Sequence, residues 1–206
     1  MLSWFPLPYP DESLYSLIAR YHERSGNYLI CDTIEQLFGD KRQASSTVIP
    51  YRLGHMADLT ECYGLTFEKL LHEYTLYDFF LLFSTEGNRE AVAQILESNI
   101  PKSYDAYLGL HERQGFHQRM RFCPQCKEEE REKYGESYWH NLHQAPGMIC
   151  CAKHRCRLID SPVMMTGHGT RNYISLESVE VFEVPKQREL SACEIVVSQD
   201  LEELWN

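Results

Sequence analysis

The chain has 206 residues, 43% of them hydrophobic and 24% charged, which is the make-up of a globular protein and excludes a disordered one. No apolar run approaches the roughly 18 residues of a membrane-spanning helix, and the opening Met1-Leu2-Ser3-Trp4-Phe5-Pro6 lacks the basic and apolar regions of a signal peptide, so a cytoplasmic location and no membrane partner are expected. The net charge of −10 divides as −7 over residues 1–118, +3 over 119–157 and −6 over 158–206, so only the middle offers the basic footprint that phosphates require.

In chain order, Pro10-Asp11 reads as a helix start capped by Asp11. Leu14, Leu17, Ile18 and Tyr21 follow at the spacing of one buried stripe, and Ser25-Gly26-Asn27 stops the helix. A second helix is predicted from Asp32 to Phe38, ended by Gly39, and a third from Pro50 towards Tyr63-Gly64. Three short helices with tight turns suit a helix-turn-helix arrangement or a plain helical bundle. Phe67, Leu70, Leu71 and Tyr74 mark a fourth helix, 88–98 a fifth and 104–113 a sixth, with the aromatic run 77–83 reading as core. After residue 162, alternation in 179–184 and the run Glu194-Ile195-Val196-Val197 suggest strands. Residues 200–205 look like the first turn of a helix, which suggests a chain that continues beyond residue 206.

The chemistry concentrates between residues 123 and 156, where five of the eight cysteines fall among histidines. In a reducing compartment that clustering points to metal and not to disulfides. Cys123-Pro124-Gln125-Cys126 is a C-x2-C knuckle, and Cys151-Ala152-Lys153-His154 supplies a second x2 pair. Two such pairs give the four donors of a closed tetrahedral zinc site, so Cys123, Cys126, Cys151 and His154 are the expected ligands of one structural Zn2+ per chain. Cys150 and Cys156 stand beside them as alternatives. His140 and His143, at i and i+3, could share a face with a metal but are expected outside its coordination shell. A catalytic zinc would keep an open position, and the H-E-x-x-H, deaminase, P-loop and G-x-S-x-G patterns are all missing from the sequence, so no enzyme is expected.

Three stretches carry a family resemblance. Residues 7–20, beginning Leu7-Pro8-Tyr9-Pro10-Asp11-Glu12-Ser13, resemble the opening of the TniQ/TnsD family. Arg121-Phe122-Cys123-Pro124-Gln125-Cys126, followed by Tyr134-Gly135-Glu136-Ser137-Tyr138-Trp139, resembles its first zinc knuckle. His143-Gln144-Ala145-Pro146-Gly147-Met148, leading to Cys151-Ala152-Lys153-His154, resembles its second. The resemblance runs from about residue 4 to 160, with Cys150 standing where the family needs no cysteine.

This resemblance implies a mainly α fold with a small zinc-ribbon-like β element. Residues 1–118 would form a helix-turn-helix-like domain, 119–160 a zinc-finger region, and 161–206 short strands and the start of a further helical segment. It also implies a nucleoid-associated adaptor for transposition that links a selected target to TnsC, an AAA+ ATPase, which in turn recruits the transposase. Target DNA would be read mainly by regions beyond residue 206 in TnsD-type members. In TniQ-type members a CRISPR RNA-guided complex would select the site. Arg113, Arg119, Arg121, Lys153, Arg155 and Arg157 are the residues expected to touch phosphate; Trp4, Phe5 and Tyr9 are those expected to contact the ATPase, or else to lie on the bundle. The competing expectation is an autonomous, sequence-specific DNA-binding transcriptional regulator with a structural zinc finger.

Overall fold

A computed structural model of the chain describes residues 2–43, 46–82, 84–98, 119–165, 172–180 and 189–205. Helix α1 (Leu14–Ser25) is capped by Ser13, whose hydroxyl accepts from the Ser16 amide, and it closes on Gly26 at φ 77°. Asp11 is therefore not the cap. It sits at φ 55°, ahead of the helix, and is committed to contacts elsewhere. Helix α2 (Ile30–Phe38) ends at Gly39, also left-handed at φ 72°. Helix α3 (Leu53–Thr60) begins later than Pro50 predicts, because Arg52 takes a left-handed conformation (φ 58°) and delays the first turn. A 3-10 turn (Glu61–Tyr63) continues it to Gly64. Helices α4 (Phe67–Tyr74) and α6 (Glu86–Glu97) are capped by Thr66 and Thr85, with the short α5 (Tyr77–Leu81) between them. The sixth predicted helix, 104–113, lies outside the described residues.

Strand β1 (Arg119–Phe122) pairs antiparallel with β2 (Ile159–Met164), with a register irregularity between Arg119 and Arg121. Between them, α7 (Pro124–Tyr134) starts with proline at its first position and stops at Gly135, and a 3-10 turn spans Leu142–Gln144. The last element is α8 (Ala192–Trp205). This helix replaces the strand predicted at Glu194-Ile195-Val196-Val197, and residues 200–205 are its end instead of a first turn. The deciding interaction is a capping box: the Glu194 amide donates to Ser191 Oγ at 3.3 Å, while Glu194 Oε2 accepts from the Ser191 amide at 2.8 Å. In the other predicted strand, Val179 and Glu180 are irregular and 181–184 lie outside the described residues.

One hydrophobic core runs from Phe5, Leu17 and Ile18 through Leu53, Leu70 and Val92 to Met120, Trp139 and Met148. The N-terminal segment and residues 136–141 are joined by backbone: the Ser13 amide donates to Trp139 O at 2.8 Å, and the Asn141 amide to Asp11 O at 2.7 Å. Trp139 is fully buried at this join, and its amide donates to Ser16 Oγ at 3.1 Å. Beneath it lies a charge lattice. Arg20 binds Glu12 (2.7 Å) and Glu136 (3.0 Å), and Arg24 binds the second oxygen of Glu136 (2.5 Å).

Candidate metal centre

Cys123 follows β1 directly and caps α7, so its sulfur faces back over the first turn and accepts from the Cys126 amide at 3.4 Å. One turn on, Cys126 points the same way. In the second pair, Cys151 Sγ accepts from the His154 amide at 3.4 Å, the same knuckle geometry on a tight turn. The donors converge. His154 Nδ1 lies 3.3 Å from the sulfurs of Cys123 and Cys126 and 3.6 Å from that of Cys151, and the Cys126 and Cys151 sulfurs are 3.7 Å apart. A tetrahedral zinc with Zn–S near 2.3 Å places its donors at edges of roughly 3.8 Å, so the set needs only slight expansion to hold an ion.

The cysteines are buried, so the set is shielded from water. Hydrogen bonds from Cys126, Cys151 and Cys156 drive the Cys123 thiol far down, while bonding to Cys123 and Cys151 together with burial drives Cys126 far up. A divalent cation would allow the three thiols to ionise together. The donor set fits a metal ion.

The far nitrogen of His154, Nε2, is 3.0 Å from Glu129 Oε1, and Lys153 engages the other oxygen of Glu129. Sequence reasoning missed Glu129, although it stands three residues after Cys126 on α7 and therefore on the same face. Such an outer carboxylate fixes the tautomer and orientation of a ligating histidine. Of the two alternative cysteines, Cys150 turns away, its sulfur 3.8 Å from Glu194 O, whereas Cys156 Sγ is 3.3 Å from Cys123 Sγ.

His140 and His143 lie outside the four-donor set and inside the protein. His140 bridges Asp11 (Nδ1, 3.1 Å) and Glu130 (Nε2, 2.5 Å). Burial opposes a charge on its ring, yet the two carboxylates outweigh it and lift its pKa to about 9. Cys126, Glu130 and His140 also lie within reach of one ion. Both nitrogens of His140, however, are already taken by carboxylates. His143 is buried against the His140 ring, and burial holds its pKa well below the ordinary value.

The residues expected to touch phosphate separate sharply. Arg121 is a correction: it is 4% exposed, and its guanidinium donates to the carbonyls of His143, Ala145 and Met148, holding the loop between the knuckles. Arg119, Lys153 and Arg155 are exposed, and Arg157 is half-buried against Glu194 at 2.8 Å. Arg113 lies outside the described residues. Among the expected ATPase contacts, Phe5 follows the alternative reading and lies in the bundle, buried against Tyr21 and Tyr63, so it is no surface contact. Tyr9 is half-buried between Tyr134 and Tyr138 beneath the Arg20 guanidinium, and its hydroxyl donates to Glu136 at 2.9 Å. Trp4 alone of the three is exposed, stacked on Tyr21.

A family model described as TniQ matches residues 3–158. Over 152 residues the chain is 26% identical to the transposon Tn7 transposition protein TnsD of Escherichia coli, an alignment covering 73% of this chain and 30% of that protein. The chain thus spans less than a third of the length of that relative.

Proposed function

The chain belongs to the TniQ family, and on that premise we propose that it is a target-selection adaptor for DNA transposition that links a chosen site to an AAA+ ATPase of the TnsC type and so brings in the transposase. The observation that carries this reading is spatial. The first stretch that resembles the family, 7–20, lies a hundred residues from the other two, 121–139 and 143–154, yet closes on them at Trp139, beside the cysteine–histidine cluster. They form one body, with the metal centre bracing one side of it.

In this reading one Zn2+ is held by Cys123, Cys126, Cys151 and His154, and its role is structural. Four protein donors complete a tetrahedron and leave no position for a reacting water, which favours an adaptor over an enzyme. Arg119, Lys153 and Arg155 supply a modest contact to phosphate backbone. Among the described residues, with Arg121 consumed internally, Arg157 paired to Glu194 and Lys153 to Glu129, the basic face is thin for tight autonomous DNA binding, which favours the adaptor over the regulator. Trp4 remains as the exposed aromatic of the N-terminal segment for a protein partner.

The test is a pull-down of the cognate ATPase by the full chain, with and without DNA. Retention in either condition is expected, and no retention in both refutes the adaptor. Tight, specific duplex binding by residues 1–206 alone, at physiological salt, would instead establish the regulator.

A further inference from the structure

A fourth sulfur, and so a fifth potential donor, stands at the metal centre without belonging to its four-donor set. Cys156 Sγ is 3.3 Å from Cys123 Sγ, inside the roughly 3.8 Å donor edge of a tetrahedral zinc site. Its position is fixed by the turn that carries the second knuckle. Cys156 O accepts from the Cys151 amide at 2.8 Å, and the Arg155 amide donates to Cys151 O at 2.7 Å. These bonds hold the Cys156 main chain beside the cluster. Cys150, the other neighbour, is aimed at α8 and has no such access.

The four primary donors are not equally secure. Cys123, Cys126 and Cys151 are buried, whereas His154 is held from outside by Glu129, whose side chain is half exposed and shared with Lys153. His154 is also the one uncharged donor among thiolates, and a soft thiolate is a strong competitor for zinc. From this geometry we infer that Cys156 is a reserve ligand, which closes the coordination as a fourth thiolate when His154 leaves. In that exchange the metal–nitrogen bond breaks, a metal–sulfur bond forms, and the thiol proton of Cys156 passes to the released imidazole or to solvent. No oxidation is involved. The inference rests on the metal reading above and extends it from a fixed site to one with two coordination states.

The test uses the full chain loaded with cobalt(II) in place of zinc, as wild type, His154→Ala, Cys156→Ser, the double variant and Glu129→Gln. Metal per chain and the visible spectrum are read against a competing chelator. Wild type and Cys156→Ser are expected to hold one equivalent with the same spectrum. His154→Ala should also hold about one equivalent, with a stronger thiolate-to-cobalt band and ligand-field bands at lower energy. The double variant should bind cobalt more weakly than His154→Ala by on the order of tenfold or more. Glu129→Gln, which keeps every donor, should move part-way towards the His154→Ala spectrum. Alkylation mapping should find Cys156 better protected in His154→Ala than in wild type. If His154→Ala loses the metal as fully as the double variant and Glu129→Gln leaves the spectrum unmoved, the reserve ligand is refuted. A changed spectrum in Cys156→Ser would make Cys156 a resident ligand and also overturn it. A wild-type chain that binds no cobalt overturns the metal reading itself, a result that none of the other outcomes imitates.

Discussion

Replacing Arg20 by methionine should expose how much the buried charge lattice matters. Arg20 and Glu12 have side chains 5% and 0% exposed, in contact at 2.7 Å, and the guanidinium also reaches Glu136. Without Arg20, Glu136 keeps Arg24 and the Tyr9 hydroxyl, so it stays compensated. Glu12 keeps only the Tyr9 amide (3.0 Å) and the Ser16 hydroxyl (2.9 Å), with no cation. Leaving one member of a buried pair uncompensated costs about 3–5 kcal/mol, and the two remaining hydrogen bonds place this case near 3 kcal/mol. In a chain of this size that is a fall of about 6–12 °C in Tm.

The cost should also depend on pH. Burial already raises the Glu12 carboxyl to about 7, against the pull of Arg20. Removing Arg20 raises it further, so the variant suffers most at pH 8, above the wild-type value, where Glu12 must either retain a proton that wild type releases or bury a charge without its cation. It suffers least near pH 5, where Glu12 is protonated with or without Arg20. Urea unfolding of metal-saturated protein followed by circular dichroism measures this. Glu12→Gln combined with Arg20→Met should recover about 1–2 kcal/mol, since it removes the stranded charge. A loss below about 1 kcal/mol at pH 8, or an equal loss at both pH values, would refute the reasoning.

Three further outcomes are expected. Cys126→Ser should weaken metal binding sharply, and chelation of the wild type should remove the ion and unfold the region between the knuckles, read as lost near-ultraviolet dichroism; an unchanged spectrum on complete metal removal contradicts a structural ion. Gly54→Ala should destabilise by about 2–3 kcal/mol, because a Cβ there would stand 2.2 Å from Glu97 O where α3 crosses α6, and a melting point within error of wild type would show that the crossing yields freely. His140, with its folded pKa raised to about 9, adds stability that is fully present below its unfolded pKa near 6.5 and is lost as pH rises through 9. His140→Gln should therefore flatten the stability profile between about pH 6.5 and 9 by about 2–3 kcal/mol, and a profile parallel to wild type would remove His140 from the account.

Much of the helical frame was legible because its signals are local. Apolar spacing placed α1 and α4, and Gly26 and Gly39 marked the ends of α1 and α2. The four donors were legible for the same reason, since each x2 pair is a complete local motif. Asp11 failed as a cap because its carboxylate is recruited across the fold, to His140 and to the amide of Leu142. Nothing within ten residues of Asp11 announces that contact. Arg121 failed as a phosphate contact for a related reason: carbonyls of three residues between the knuckles take both terminal nitrogens of its guanidinium, and their convergence belongs to tertiary structure. The misread α8 was avoidable. Ser191-x-x-Glu194 is a capping box in plain view, and it outweighs the β-branched run that follows.

The backbone join between Ser13 and Trp139 also sets an order of assembly during synthesis. At the usual translation rate of about 5–20 residues per second, some 6–25 s separate the emergence of its two halves. Through that interval the first helix exists without the tryptophan it is built to cover, and Arg20 without Glu136. A nascent chain stalled before residue 139 would therefore present an apolar, half-neutralised helix to whatever chaperone it meets. Completion of the second knuckle, shortly afterwards, would release it.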